Sequence, residues 1–408
     1  MKPVGPIPHG FSHKLGILQV DSEDVRNLVD RAGGTPLFVY SSEMLRARVA
    51  RLRAVLPPQV HVHYAIKANP FSPLLQVMSE LVDGFDVASG GELEKLLELN
   101  VDARRISFAG PGKRDAELAA AISAGVTLNL ESEAEAERAL RIADAAGARP
   151  RLAIRVNPDF DLKGSGMKMG GGAKPFGIDV ERVPALARRV VESGAEWRGF
   201  HIFAGSQAIS ADAIIEAQAQ TLALAARLTR ESGVPLPHLN LGGGFGIPYF
   251  PGDTELDITA VGAALAERMA DLPPELAQTE FCVELGRWLV GEAGVYLTTV
   301  IDRKVSHGEV FLVVDGGMHH QLAASGNFGT VVRRNYPVAI ATRFDAPVEE
   351  EASVVGCLCT PLDRLADKGG FPRAEPGDIV AVFCAGAYGA TASPMHFLGQ
   401  GPARELLV

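Results

Sequence analysis

The most reactive group on offer is Lys67, in the run Tyr64-Ala65-Ile66-Lys67-Ala68-Asn69-Pro70. An amine at the end of an apolar strand loses hydration, its pKa falls, and it suits Schiff-base chemistry. The plainer alternative is a strand-end lysine snorkelling into water. Leu241-Gly242-Gly243-Gly244-Phe245-Gly246 also follows an apolar run. Successive glycines let backbone N–H groups close on a phosphate. The spacing is neither GxGxxG nor a Walker loop, and a tight strand-to-loop turn has the same composition. Glu284 precedes Gly286-Arg287, so it could pair with a protonated ring nitrogen or simply with Arg287. A lysine amine, a phosphate cradle, an aromatic wall and an acid for a pyridinium are together the parts of a pyridoxal phosphate (PLP) site.

The elements that must position these groups are legible as alternation. Eight short apolar runs (60–66, 84–88, 105–109, 126–130, 152–156, 198–203, 238–241 and 281–284) are separated by amphipathic stretches such as 72–82, 91–100 and 132–147. Near-continuous apolar runs suit parallel strands covered on both faces. The stretch 132–147 opens on Ser132 and Glu135, a capping-box pattern, and ends in Gly147. Eight such units predict an α/β chain with a (β/α)8 TIM barrel; an open doubly wound sheet is the runner-up. A barrel carries its site at the C-terminal strand ends. Those ends offer Lys67, then Asp86 and Ser89, Gly110 and Lys113, Asn129 and Glu131, Arg155 and Asn157, His201, Phe203 and Ser206, the three glycines, and Glu284, Gly286 and Arg287. The Gly-rich segment 163–177 reads as a lid over that mouth rather than a bland surface loop. After Glu284 the runs 294–302, 309–317, 336–342, 352–359 and 378–389 predict an antiparallel β domain. The expected division is a PLP-binding barrel at 38–284 and a β domain at 285–408 completed by residues 1–37.

Composition narrows the function. Lys and Arg total 39 against 49 Asp and Glu, a net charge of −10 over 408 residues, which disfavours nucleic acid and anionic membrane as partners. No apolar run reaches the ~18 residues of a membrane span and no signal peptide is visible, so a cytoplasmic protein is expected. Four cysteines are too few for a disulfide framework, and Cys357-x-Cys359 is too tight for usual zinc spacing, so no metal site is expected.

The sequence resembles the PLP-dependent decarboxylases of the alanine-racemase-like fold, which include diaminopimelate, ornithine and arginine decarboxylases. YAIKAN, GFDVASGGEL, RVNP, HIFAGSQ, LGGGFG, ELGR, VDGGM, GCLCTPLD and AGAYG occur in the family's order from about Thr35 onward. The resemblance implies that Lys67 carries the cofactor as a Schiff base, with Asp86 and Glu92 near the ring and Arg155 below it. It assigns the phosphate to Ser206, Gly243, Gly244, Gly286, Arg287 and Tyr388, and the pyridinium to Glu284. It implies that Cys359 reaches the site from the partner subunit of a homodimer and handles the proton, with Asp363 nearby.

The chain departs from that family's pattern. Phe203 stands where the family's ring-stacking His is found; an aromatic face can still stack. The retained His201 is expected to point elsewhere, by strand alternation. ELGR replaces EPGR. Thr360 follows Cys359 where the family has an acid, HHQLAASGNFGTVVRRN (319–335) replaces the diaminopimelate clamp, and Phe397-Leu398 replaces a Tyr-Asn pair. The cofactor apparatus is thus expected intact and the substrate grip altered, with Thr360, Asp363 and Arg287 as candidate substrate contacts. The expected activity is α-decarboxylation of a free amino acid, diaminopimelate-like, or of an aminoacyl group on a carrier protein. A non-catalytic PLP-binding regulatory homologue is the alternative of another class. A racemase is disfavoured because the racemases of this barrel place Arg where Glu284 stands.

Overall fold

The computed structural model describes residues 1–164, 166–326 and 334–408. The chain forms two compact units, one of Val49–Gly246 with Leu256–Gly286, the other of Met1–Arg48, Ile247–Glu255 and Arg287–Val408.

The first unit is a closed parallel barrel. Its strands are β1 (Val60–Ala65), β2 (Gly84–Val87), β3 (Ile106–Phe108), β4 (Thr127–Leu130), β5 (Arg151–Asn157), β6 (Glu196–Ile202), β7 (His238–Gly243) and β8 (Glu280–Leu285). Each pairs with the next in parallel, and β8 pairs with β1, which closes the ring. Closure rather than an open sheet follows from the even supply of βα units, each burying both strand faces. The helices α1 (Ser72–Leu81), α2 (Gly90–Glu98), α3 (Asp115–Ala124), α4 (Glu133–Ala146), α5 (Val183–Glu192), α6 (Ala211–Ser232) and α7 (Ile258–Ala270) connect them. Local chemistry sets their ends. Ser132 caps α4 by accepting from Glu135 N, and Gly147 ends it in the left-handed region at φ 60°. Only half of the expected capping box forms, because the Glu135 carboxylate turns to Lys113 instead (2.6 Å).

The second unit is a mixed sheet, not the antiparallel one expected. Its main strands are β9 (Gly294–Ser306), β10 (Glu309–Val314), β11 (Val338–Ile340), β12 (Glu350–Val355), β13 (Arg364–Phe371) and β14 (Ile379–Val382), in spatial order β11-β14-β9-β10-β12-β13. β10 and β12 run parallel because the connection 315–349 is long enough for a crossover. The C-terminal strand Arg404–Leu407 also lies parallel to Leu37–Tyr40, which itself pairs antiparallel with β9. N-terminal Leu18, Val20, Val25 and Leu28 share one core with Val295, Leu297, Ala381 and Phe383. Strand β13 lacked an apolar run, since Asp367, Lys368 and two glycines interrupt RLADKGGF. Pairing with β12 secures it.

Candidate active site

Lys67 lies in a single 3-10 turn, Ile66–Ala68, directly after β1, with an exposed side chain. Its Nζ stands 3.7 Å from Glu284 Oε1 and 5.5 Å from the centre of the Phe203 ring. Glu284 is buried near the end of β8, and its other oxygen, Oε2, is 2.8 Å from His201 Nε2. Burial alone would raise the Glu284 carboxyl. The His201 hydrogen bond and the charges of Lys67, His201 and Arg155 outweigh it and hold the acid down at about 2. His201 therefore does not point elsewhere as expected. Residues two apart share a strand face, so His201 and Phe203 serve the same mouth, Phe203 from just past the end of β6.

Asp86 in β2 is buried, and both its carboxylate oxygens lack a hydrogen-bond partner. His63 Nδ1 is 3.3 Å from one of them without forming a bond. Glu92 accepts from Ala88 N, and burial, against the pull of that bond and of Lys67, pushes its carboxyl up. Arg155 donates to Glu131 Oε1 (2.8 Å) and faces the Phe176 ring. Sequence reasoning gave Glu131 no role beyond a place at a strand end. In the structure it also accepts from Gly110 N and Gly177 N, so one carboxylate anchors Arg155 and the end of the Gly-rich segment. Two of its described parts are tied to neighbours: Met167–Lys168 pairs antiparallel with Gly205–Ser206, and Asn157 donates to Gly172 O. Lys113, another strand-end candidate, is spent on Glu135, Gly110 O and Asn129 O.

The glycines at the end of β7 have no room for side chains. A Cβ on Gly243 would lie 1.9 Å from Glu284 O, and one on Gly244, at φ +80°, 2.3 Å from Gly205 O. Gly286 is tight against the Lys67 turn, where a Cβ would stand 3.0 Å from Ala68 Cβ. Orphaned Asp86 oxygens, an acid with one oxygen committed to His201, an exposed lysine and a bare glycine cradle fit PLP.

In the second unit, Arg287 Nη1 donates to Tyr249 OH (2.6 Å) and the guanidinium covers the Tyr388 ring at 4.6 Å. Arg287 Nε is buried without a partner. Tyr249 was missed because nothing in its spacing marks it. Cys359 is an exposed free thiol. Asp363 does not offer itself to a substrate: it is buried and accepts from Met318 N and Leu358 N, fastening the loop after β12. A Cβ on Gly317 or Gly356 would meet its carboxylate at 2.2 Å. Thr360 keeps its place beside Cys359 and brings no charge. Of the segment 319–335, residues 327–333 lie outside the described residues. His320 accepts from Tyr296 OH (3.0 Å) and donates to Gly401 O (2.8 Å), and burial pushes its pKa down to about 4.

Comparison with known proteins agrees with this chemistry. The family model for the pyridoxal-binding domain of pyridoxal-dependent decarboxylases matches residues 42–291. An L-glutamyl-[BtrI acyl-carrier protein] decarboxylase of Niallia circulans is 35% identical over 396 residues, covering 96% of this chain and 92% of its own. The diaminopimelate decarboxylase of Aquifex aeolicus is 33% identical over 402 residues, covering 98% and 92%. The crystal structure of diaminopimelate decarboxylase from M. jannaschii with L-lysine superposes with a TM-score of 0.86 at 25% identity, over 98% of this chain and 93% of that one. No helix among the described residues is long and apolar enough to cross a membrane. With a family match over more than half its length and relatives spanning nearly all of it, the chain belongs to the PLP-dependent amino-acid decarboxylases.

Proposed function

We propose that this decarboxylase acts on an aminoacyl group held through its distal end by a carrier protein, in a homodimer whose sites each take Cys359 from the neighbouring subunit. The observation that carries the reading is the residue after Cys359, which is a threonine and not an acid. Thr360 follows Cys359, and Asp363 is committed to two backbone amides. A diamino acid would bring an ammonium into a closed site, and leaving it unpaired costs several kcal/mol. A tethered substrate has no such charge. Its α-carboxyl must be free to leave as CO2, so the carrier linkage is at the other end, as a neutral acyl group. The printed name of the Niallia relative supports this reading. The exposed apolar side chains of Leu362, Phe397 and Leu398 support a covering subunit.

When bound, PLP supplies the electron sink for the carbanion left by CO2. The chain's residues would do the rest. Gly243, Gly244 and Ser206, with Arg287 and Tyr388, would hold the phosphate. Glu284, ionised and held through Oε2 by His201, would keep a proton on the ring nitrogen with Oε1. Phe203 would shield the ring from water. Lys67 would supply the amine that holds the cofactor. Arg155 is fixed in place by Glu131. Cys359 Sγ would supply the proton that replaces the carboxylate.

The test measures CO2 release by the holoenzyme from free glutamate, ornithine, lysine and diaminopimelate, and from a glutamyl thioester of a carrier protein. The expected kcat/KM for the tethered substrate exceeds the free acids by about a hundredfold, roughly 2.7 kcal/mol of contact. Thr360→Glu is expected to raise turnover of diaminopimelate. Efficient turnover of free diaminopimelate by the unmodified enzyme would restore the ordinary free-amino-acid role.

A further inference from the structure

We infer that the barrel interior beneath the catalytic residues is a binding site for a zinc-type divalent ion, held by His63, His238 and Cys282. These residues stand on β1, β7 and β8, three neighbouring strands, and one ligand atom from each lies within 4.8 Å of the others. Two imidazoles and a thiolate are a borderline-soft donor set that favours zinc over magnesium or calcium. In a tetrahedral zinc site the donors are roughly 3.3–3.8 Å apart. The three groups therefore close by about 1 Å on binding, a distance that side-chain rotation supplies.

Three further observations point to an occupant. Barrel interiors of this type are normally filled by layers of Val, Ile and Leu. Here a hollow of about 230 Å³ remains, lined in part by His61, His63, His238 and Asn240. It has room for a water beside His63 and His238, with Cys282 outside its lining. His63 Nδ1 is shielded from solvent with no hydrogen-bond partner. The His63 ring also uses space left by a glycine, since a Cβ on Gly84 would stand 2.5 Å from Nε2.

The charges permit a cation. The Asp86 carboxylate stands 3.3 Å from His63 Nδ1, and its charge favours a bound cation. A thiol that ligates as thiolate releases one proton. Arg198 lines the hollow, but Glu196 and Glu280 offset its charge. Arg105 is engaged by the carbonyls of Ser79, Val82 and Asp83. An ion here ties together the strands that carry Lys67, the glycine cradle and Glu284.

Cobalt(II) reports such a site beyond the cofactor's own absorbance. Metal-stripped holoenzyme titrated with cobalt is expected to develop the intense visible bands of tetrahedral coordination, saturating at about one equivalent per chain. Zinc should abolish the bands and raise Tm. Cys282→Ser should remove the thiolate charge-transfer absorption, and His63→Gln should weaken cobalt binding by about a hundredfold if Cys282→Ser folds poorly. The assignment is overturned by a weak octahedral spectrum, by bands that persist unchanged in both variants, or by a hollow that takes sulfate and no cobalt.

Discussion

Glu284 uses its two oxygens differently. His201 bonds Oε2 at 2.8 Å, while Oε1 stands 3.7 Å from Lys67 Nζ, and the proposed reading gives that oxygen to the ring nitrogen. Replacing His201 with Leu removes a hydrogen bond to a charged group, worth about 1.5–3 kcal/mol. The expected result is a fall in kcat/KM of roughly ten- to a hundredfold, together with a changed cofactor absorbance spectrum. An unchanged spectrum with lower activity would reduce His201 to scaffolding. Glu131 is the other single residue on which much depends, because it accepts from Arg155, Gly110 and Gly177 at once. Glu131→Gln leaves the Arg155 guanidinium buried without its counter-charge, a loss on the order of 3 kcal/mol. Urea unfolding of both proteins measures it; a variant within about 0.5 kcal/mol of the parent would show that Arg155 finds another partner.

Among the elements, the turn after β7 is tightly constrained. Gly244 combines a left-handed φ of +80° with a Cβ position 2.3 Å from the Gly205 carbonyl. Left-handed backbone alone costs a non-glycine residue about 1–2 kcal/mol. The contact adds to that by pushing the turn away from Gly205–Ser206. Gly244→Ala is therefore expected to bind PLP at least tenfold more weakly, read by fluorescence or equilibrium dialysis, while the far-ultraviolet CD stays that of the parent. Ala124→Gly, at the end of α3, serves as a control that touches no cradle atom. Equal PLP affinity in parent and Gly244→Ala would separate the cradle from phosphate binding.

For the molecule as a whole, His320 makes stability depend on pH. Its folded-state pKa is about 4 against an ordinary 6.5. Between those values the unfolded chain binds a proton that the folded chain refuses, so stability present above pH 6.5 is lost as pH falls towards 4. The full loss is about 3 kcal/mol. His320→Gln is expected to flatten that part of the stability curve, measured by denaturant unfolding from pH 7 to pH 4. An unchanged slope would assign the acid sensitivity elsewhere. Assembly has its own test. Mixing inactive Lys67→Ala and Cys359→Ala chains should restore about a quarter of parental activity, because random exchange makes half the dimers hybrids with one intact site of two. No recovery after confirmed exchange would mean that each chain supplies its own thiol.

Much of the barrel was legible because each βα unit announces itself locally. Apolar runs set the strands, and residues such as Ser132 and Gly147 set helix ends whatever lies further along the chain. Lys67, Glu284 and the triple glycine could be singled out as candidates for the same reason, since each stands in a short contiguous motif. The mixed character of the second sheet was not legible. Strand direction depends on which strands meet across residues 315–349 and between the two chain termini, and no local pattern encodes that. The bond from His201 to Glu284 spans 83 positions, and the His63–His238–Cys282 cluster joins three strands far apart in sequence. Such pairings come from barrel closure, which brings the last strand beside the first. Sequence spacing thus determined which groups could do chemistry, and only the closed ring decided which of them meet.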